Sequence, residues 1–175
     1  ISKFLAPGYI TLGVGVEWVP NKYFSVNFAP VTGRVTIVND SLLAQIGAFG
    51  VKAGYFNPND STEWIPGKHA RYEFGARLVA KLDVPIAENI SFNSKLELFS
   101  NYLDHPLRID VDWQNQLLLK INSWLNCSIA THLIYDYDVP FYNIDPATGL
   151  SSTTPIEGSK VQFKEVLSLG VMFNI

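Results

Sequence analysis

Polarity alternates at almost every step from Ala70 to Val84 (ARYEFGARLVAKLDV). Tyr72, Phe74, Ala76, Leu78, Ala80, Leu82 and Val84 are apolar, and Arg71, Glu73, Arg77, Lys81 and Asp83 stand between them. Successive side chains of a strand point to opposite faces, so this period predicts a strand with one apolar and one charged face. The segment is about twice the common strand length. A strand that crosses a bilayer at a tilt needs roughly 9–11 residues plus its ends, which this one supplies.

Six further segments alternate in the same way. Ile10 to Val19 sets Ile10, Leu12, Val14, Val16 and Trp18 against Thr11, Gly13, Gly15 and Glu17. Phe24 to Ala29 follows the turn Pro20-Asn21-Lys22 and is expected to continue past a bulge at Pro30 into Arg34 to Val38. After the turn Pro85 to Asn89, Ile90 to Tyr102 sets Phe92, Leu96 and Leu98 against Asn93, Lys95 and Glu97. Arg108 to Ser123, Cys127 to Asp138 and Val161 to Ile175 complete the set, with a short turn near Trp124 to Asn126. Glu165 interrupts the last apolar face and is expected near the membrane surface, where a charge is better tolerated than mid-bilayer.

Connections alternate in length: short near residues 20, 87 and 125, longer near 30–69, 103–108 and 139–160. Outer-membrane barrels pair short periplasmic turns with longer extracellular loops. A periplasmic C-terminus places every short turn on that side. Aromatics gather at the strand ends, with Trp18, Phe92, Trp124 and Phe173 at one end. Tyr72, Phe74, Tyr102, Trp113, Tyr135, Tyr137 and Phe163 lie at the other, as in a double aromatic girdle. The fold class expected is all-β, an antiparallel transmembrane β-barrel in the bacterial outer membrane, with residues 1–175 forming a single barrel domain. A soluble ligand-binding barrel, apolar inside and polar outside, is the alternative. Seven strands is an odd number and single-chain bacterial barrels have even numbers. The chain is therefore expected to supply the C-terminal seven or so strands of a larger barrel, and Ile1 opens no signal peptide.

Composition narrows this little further. A net charge of −3 gives no reason to expect nucleic acid, and no run approaches the ~18 apolar residues of a membrane-spanning helix. One cysteine, Cys127, excludes an internal disulfide and a cysteine-based zinc site, and its position on the apolar face makes it a small apolar residue.

Several motifs in order resemble one family of Bacteroidota proteins, the domain-of-unknown-function 3078 family. They are Leu5 to Val38 (LAPGYITLGVGVEWVPNKYFSVNFAPVTGRVTIV), Gly47 to Val51 (GAFGV), Phe74 to Val84, Leu96 to Pro106 (LELFSNYLDHP), Ile109 to Asn122 (IDVDWQNQLLLKIN) and Val161 to Val171 (VQFKEVLSLGV). The resemblance covers most of the chain apart from 52–69 and 139–159. It implies a longer protein with a signal peptide and a predicted outer-membrane barrel, and it carries over no catalytic residue.

Candidate chemistry lies on the polar faces. Asp110, Asp112, Asp136 and Asp138 sit at one end of the fifth and sixth segments, and a turn near Trp124 would make them cross-strand neighbours. Like charges so placed repel. A Ca²⁺ ion, which takes oxygen ligands, would relieve them; no other cofactor is suggested. The favoured alternative is a salt-bridge lattice with Arg108, Arg71 or Lys164 as the cation. Arg71, Glu73, Arg77, Lys81, Lys95, Glu97, Lys120 and Lys164 are assigned to the lumen, with Arg77 opposing Glu97 and Lys81 opposing Asn93. Mixed signs favour a plugged or narrow barrel over a charge-selective pore.

Ser128, His132 and Asp136 share one face, but residues four apart on a strand are separated by ~13 Å, so no catalytic pair forms within the strand. His69 and His105 read as surface residues. Ser41 to Val51 (SLLAQIGAFGV) has helical apolar spacing and is expected to be a loop packed on its own barrel, the alternative being a cap on the barrel mouth or a partner-binding segment. The function expected is non-enzymatic: a structural or accessory subunit of an outer-membrane assembly, with outer-membrane lipid and other outer-membrane proteins as partners. A narrow conduit for a small solute or lipid is the alternative, and a barrel-embedded hydrolase the less favoured one.

Overall fold

Each alternating segment forms a strand. The computed structural model describes residues 4–137, 141–144, 151–156 and 161–171. Chain order is β1 (Gly8–Asn21), β2 (Phe24–Ile37), the one-turn helix α1 (Ser41–Gln45), β3 (Tyr55–Asn57), β4 (Asp60–Ile65), β5 (Ala70–Ala87), β6 (Ile90–Asn101), β7 (Ile109–Lys120), β8 (Leu125–Tyr135), β9 (Phe141–Ile144), β10 (Ser151–Ile156) and β11 (Val161–Val171). The long alternating strands make one seven-stranded antiparallel sheet in the order β1-β2-β5-β6-β7-β8-β11. Two small hairpins, β3–β4 and β9–β10, project from the long connections and were not foreseen from the sequence. Strands β1 and β11 are the two edges, and among the described residues no ladder joins them.

The turns at one end are short and those at the other long, as the sequence predicts. Asn21 Oδ1 accepts from the backbone N–H groups of Tyr23 and Phe24, and Asn122 Oδ1 from those of Trp124 and Leu125. These Asx-type bonds reverse the chain in a few residues.

The sheet curls strongly, and bulges provide the bend. Register shifts fall between Val14 and Val16 on β1 and between Ala29 and Thr32 on β2. Pro30 lies inside the second, where a missing ladder donor costs nothing. Gly15 and Gly75 sit where backbones approach closely. A Cβ on Gly15 would lie 2.3 Å from the Phe28 carbonyl oxygen, and one on Gly75 would lie 1.8 Å from that of Ser100. Any larger residue there would force the strands apart.

Curling separates the two faces, and the polar face is the concave one. Ala29, Thr32, Thr36, Glu73, Val79, Phe99 and Asn101 are buried on it. The apolar positions line the convex face, where Leu12, Val14, Val16 and Trp18 on β1 and Leu167 and Leu169 on β11 are each at least 62% exposed. This inverts the arrangement of a soluble barrel. Cys127 lies on the convex face between Leu119 and Leu169, with a free thiol.

A row of polar residues interrupts the convex face. Register aligns Ser94, Asn115, Thr131 and Glu165 across β6, β7, β8 and β11. Ser94 donates to Asn115 Oδ1 at 2.7 Å, Trp113 Nε1 donates to Ser94 Oγ at 3.1 Å, and Asn115 Nδ2 donates to Thr131 Oγ1 at 3.4 Å. Glu165 therefore sits opposite the middle of β8, not near a strand end as expected, because β11 pairs with β8 in unbroken register from Val161–Tyr135 to Val171–Leu125.

Residues 41–51 form α1, capped by Asp40, and a 3-10 turn at Ala48–Gly50. Val38, Ala44 and Val51 make a small core with Leu43 and Phe49 against it, so the loop packs on its own strand ends. The imidazole of the exposed His69 meets the Val38 carbonyl at 2.8 Å, which ties the loop's two ends together.

Candidate functional site

The concave face carries its charge in layers across the strands. The layer nearest the long loops centres on Glu73, whose side chain is only 1% exposed. Arg34, directly opposite it on β2, donates Nε to Oε2 at 2.8 Å and Nη2 to Oε1 at 2.7 Å. Arg71 donates to Oε1 at 2.7 Å, and Arg34 Nη2 also donates to Asp110 Oδ2 at 2.9 Å. The Arg34 guanidinium lies 4.2 Å from the ring centroid of Phe99, a cation–π contact. A planar guanidinium can serve two carboxylates and an aromatic face at once, which a lysine ammonium cannot do.

Three of the four aspartates singled out in the sequence lie beside this arrangement. Asp110, Asp112 and Asp136 border one cavity of about 150 Å³ with Arg34 and Glu97, and Asp138 lies outside the described residues. Asp112 stands opposite Ile134 and Glu97, with no aspartate across from it. Its Oδ1 meets His132 Nε2 at 3.0 Å and accepts from Gln114 Nε2 at 2.9 Å. Asp110 pairs with Arg34, which is not one of the three cations expected. Arg108 stacks on Tyr137, 3.7 Å from the ring centroid, Arg71 serves Glu73, and Lys164 stands opposite His132. Arg34 was missed because nothing in the local pattern links β2 to β7. Among the described residues, no group of three His, Cys, Asp or Glu side chains is placed to hold a metal ion.

The next layer holds Glu97 and Asp112, paired across β6 and β7. Arg77 donates to both Glu97 oxygens at 2.7 and 2.8 Å, and Lys95 Nζ lies 3.2 Å from Oε2. The Arg77–Glu97 contact is diagonal and not the direct opposition expected. The hairpin turns tightly at Glu88-Asn89, with Ala87 opposite Ile90, and this register sets Arg77 against Phe99, and Lys81 against Lys95 in place of Asn93. Among the described residues, no buried side-chain nitrogen or oxygen lacks a hydrogen-bond partner.

Below this lies a layer of one sign. Register sets Lys81, Lys95, Gln114, His132 and Lys164 side by side across β5, β6, β7, β8 and β11. They border a cavity of about 420 Å³ that also takes in Asp83, Asn93 and Gln116. Farther toward the short turns, Lys120 stands opposite Asn126.

The loop with α1 overhangs the other end. Phe49 borders a cavity of about 320 Å³ with Tyr9 and Arg34 on one side and Asp136 and Gln162 on the other. Gly50 meets Arg71 so closely that a Cβ there would lie 2.1 Å from Nη1. The loop thus packs on itself and also covers the charged layer.

Among the described residues no serine–histidine hydrogen bond forms: Ser128 stands opposite Ser168, and His132 bonds to Asp112. His105 is exposed and contacts Asp104. Comparison with protein-family models, curated proteins and solved structures gives no match to this chain.

Proposed function

We propose that the chain is the C-terminal part of an outer-membrane β-barrel, with lipid against its convex face and a lumen closed at the extracellular end by ion pairs and the Phe49 loop. The observation that carries this reading is the inversion of the faces: exposed apolar side chains on the convex side, charged side chains on the concave one. In water, so broad an apolar surface would drive association; in lipid it is the required surface. The bonds among Trp113, Ser94, Asn115 and Thr131 satisfy polar groups that lipid would leave unpaired. The order of short and long connections and the resemblance to the domain-of-unknown-function 3078 family support the same reading. Closure would come from strands that pair with β1 and β11.

A lumen blocked by a guanidinium-centred lattice suits a structural or accessory role within an outer-membrane assembly. The basic layer favours one second reading, a narrow conduit for a small solute. Two measurements test these. With Cys127→Ser as background, a membrane-impermeant maleimide should label Asn59→Cys in intact cells. It should label Lys22→Cys only after the outer membrane is opened; the reverse pattern inverts the topology. In planar bilayers the purified protein should show no single-channel conductance. Steady conductance replaces the structural role with the conduit.

A further inference from the structure

We infer that the basic layer of the concave face is a binding site for a small soluble multivalent oxyanion of the phosphate class. Three lysines, Lys81, Lys95 and Lys164, border this cavity, with Asp83 the one carboxylate among the described residues that line it. Lys81 and Lys95 are directly opposite each other. Like charges in that position destabilise a sheet unless something neutralises them. Lys95 shares Glu97 with Arg77, whereas Lys81 and Lys164 have no ion-pair partner among the described residues. The charged layer nearer the long loops, by contrast, is neutralised internally by Arg34, Arg71, Glu73 and Asp110.

The chemistry around the lysines suits an oxyanion. Gln114 stands between Lys95 and His132 in the row, and Asn93 borders the same space, so neutral amide donors accompany the ammonium groups. A volume of about 420 Å³ lies within the range of small-molecule sites. The lysines lie on β5, β6 and β11, in a row that spans five strands spaced ~4.8 Å apart, so one monovalent ion cannot meet them all. An anion with two charged groups can bridge Lys81 and Lys95 on one side to Lys164 on the other. The site lies on the face opposite the apolar one, so the source is a free solute and not a lipid headgroup. The inference needs only the concave face and its register, and it stands whether that face encloses a lumen or opens to solvent.

The test uses inorganic pyrophosphate as probe. The whole chain, in mild detergent or without it if it proves soluble, is melted in increasing pyrophosphate, with chloride at matched ionic strength as control. A native-state ligand raises the melting temperature saturably. Lys81→Gln and Lys164→Gln should each weaken the apparent affinity about tenfold, the loss expected for one charge-assisted contact. Arg108→Gln, away from the row, should leave it unchanged. If a variant gives no melting transition, broadening of the pyrophosphate ³¹P resonance by wild type and by Lys164→Gln, on the exposed edge strand, supplies the comparison. A response equal to that of chloride, or one undiminished in the lysine variants, overturns the site. Anionic vesicles that compete with pyrophosphate would reassign it to a lipid headgroup.

Discussion

Arg34 on β2 and Asp110 on β7 meet at 2.9 Å although β5 and β6 lie between their strands. In a flat sheet those strands would be ~14 Å apart. The contact is therefore a consequence of curling, and it holds the curl in turn. Arg34→Met should leave Glu73, nearly inaccessible, paired with Arg71. An orphaned buried charge costs roughly 3–5 kcal/mol, and Arg71 keeps the expected loss near the bottom of that range. Asp110→Asn should cost less, because Arg34 retains both bonds to Glu73. Denaturant titration followed by tryptophan fluorescence gives the order; equal losses would mean that Glu73 is not the centre of the layer.

Leu78 on the convex face is flanked by Phe28 and Leu98, and Arg77 beside it in sequence points to the concave face and Glu97. Leu78→Arg is expected to cost ~2–4 kcal/mol if that face meets the bilayer midplane, and Leu78→Ala much less. Nitroxide labels at the two positions should differ in collision with a lipid-soluble quencher, with position 78 the more accessible. Equal accessibility would remove the assignment of faces.

Ca²⁺ should leave the melting temperature unchanged, since Arg34 already neutralises Asp110, and Asp112 already holds His132 and Gln114. A Ca²⁺-dependent rise that disappears in the double variant Asp110→Asn, Asp136→Asn would restore the metal reading of the aspartates.

Much of the architecture is legible in the residues alone. The seven strands, the alternation of short and long connections, the bulge at Pro30 and the division into two faces follow from a period of two and from turn residues, both local properties of the chain. The β3–β4 hairpin had a local signal as well: Tyr55-Phe56 and Glu63-Trp64-Ile65 flank the turn-forming Asn57-Pro58-Asn59-Asp60.

Register and curvature were not legible, because each depends on sums over turns and bulges that a local pattern does not record. A hairpin turn tighter than expected, at Glu88-Asn89, moved Lys81 from Asn93 to Lys95 and so created the basic row. Unbroken pairing of β8 with β11 carried Lys164 into that row and Glu165 to mid-strand. Curling brought Arg34 to Asp110 across two intervening strands and made the polar face the concave one. Sequence alone determined that the sheet has an apolar and a charged face, because side chains alternate. Only the tertiary structure decided which face is enclosed and which charges meet, because contacts between distant strands depend on how far the whole sheet bends.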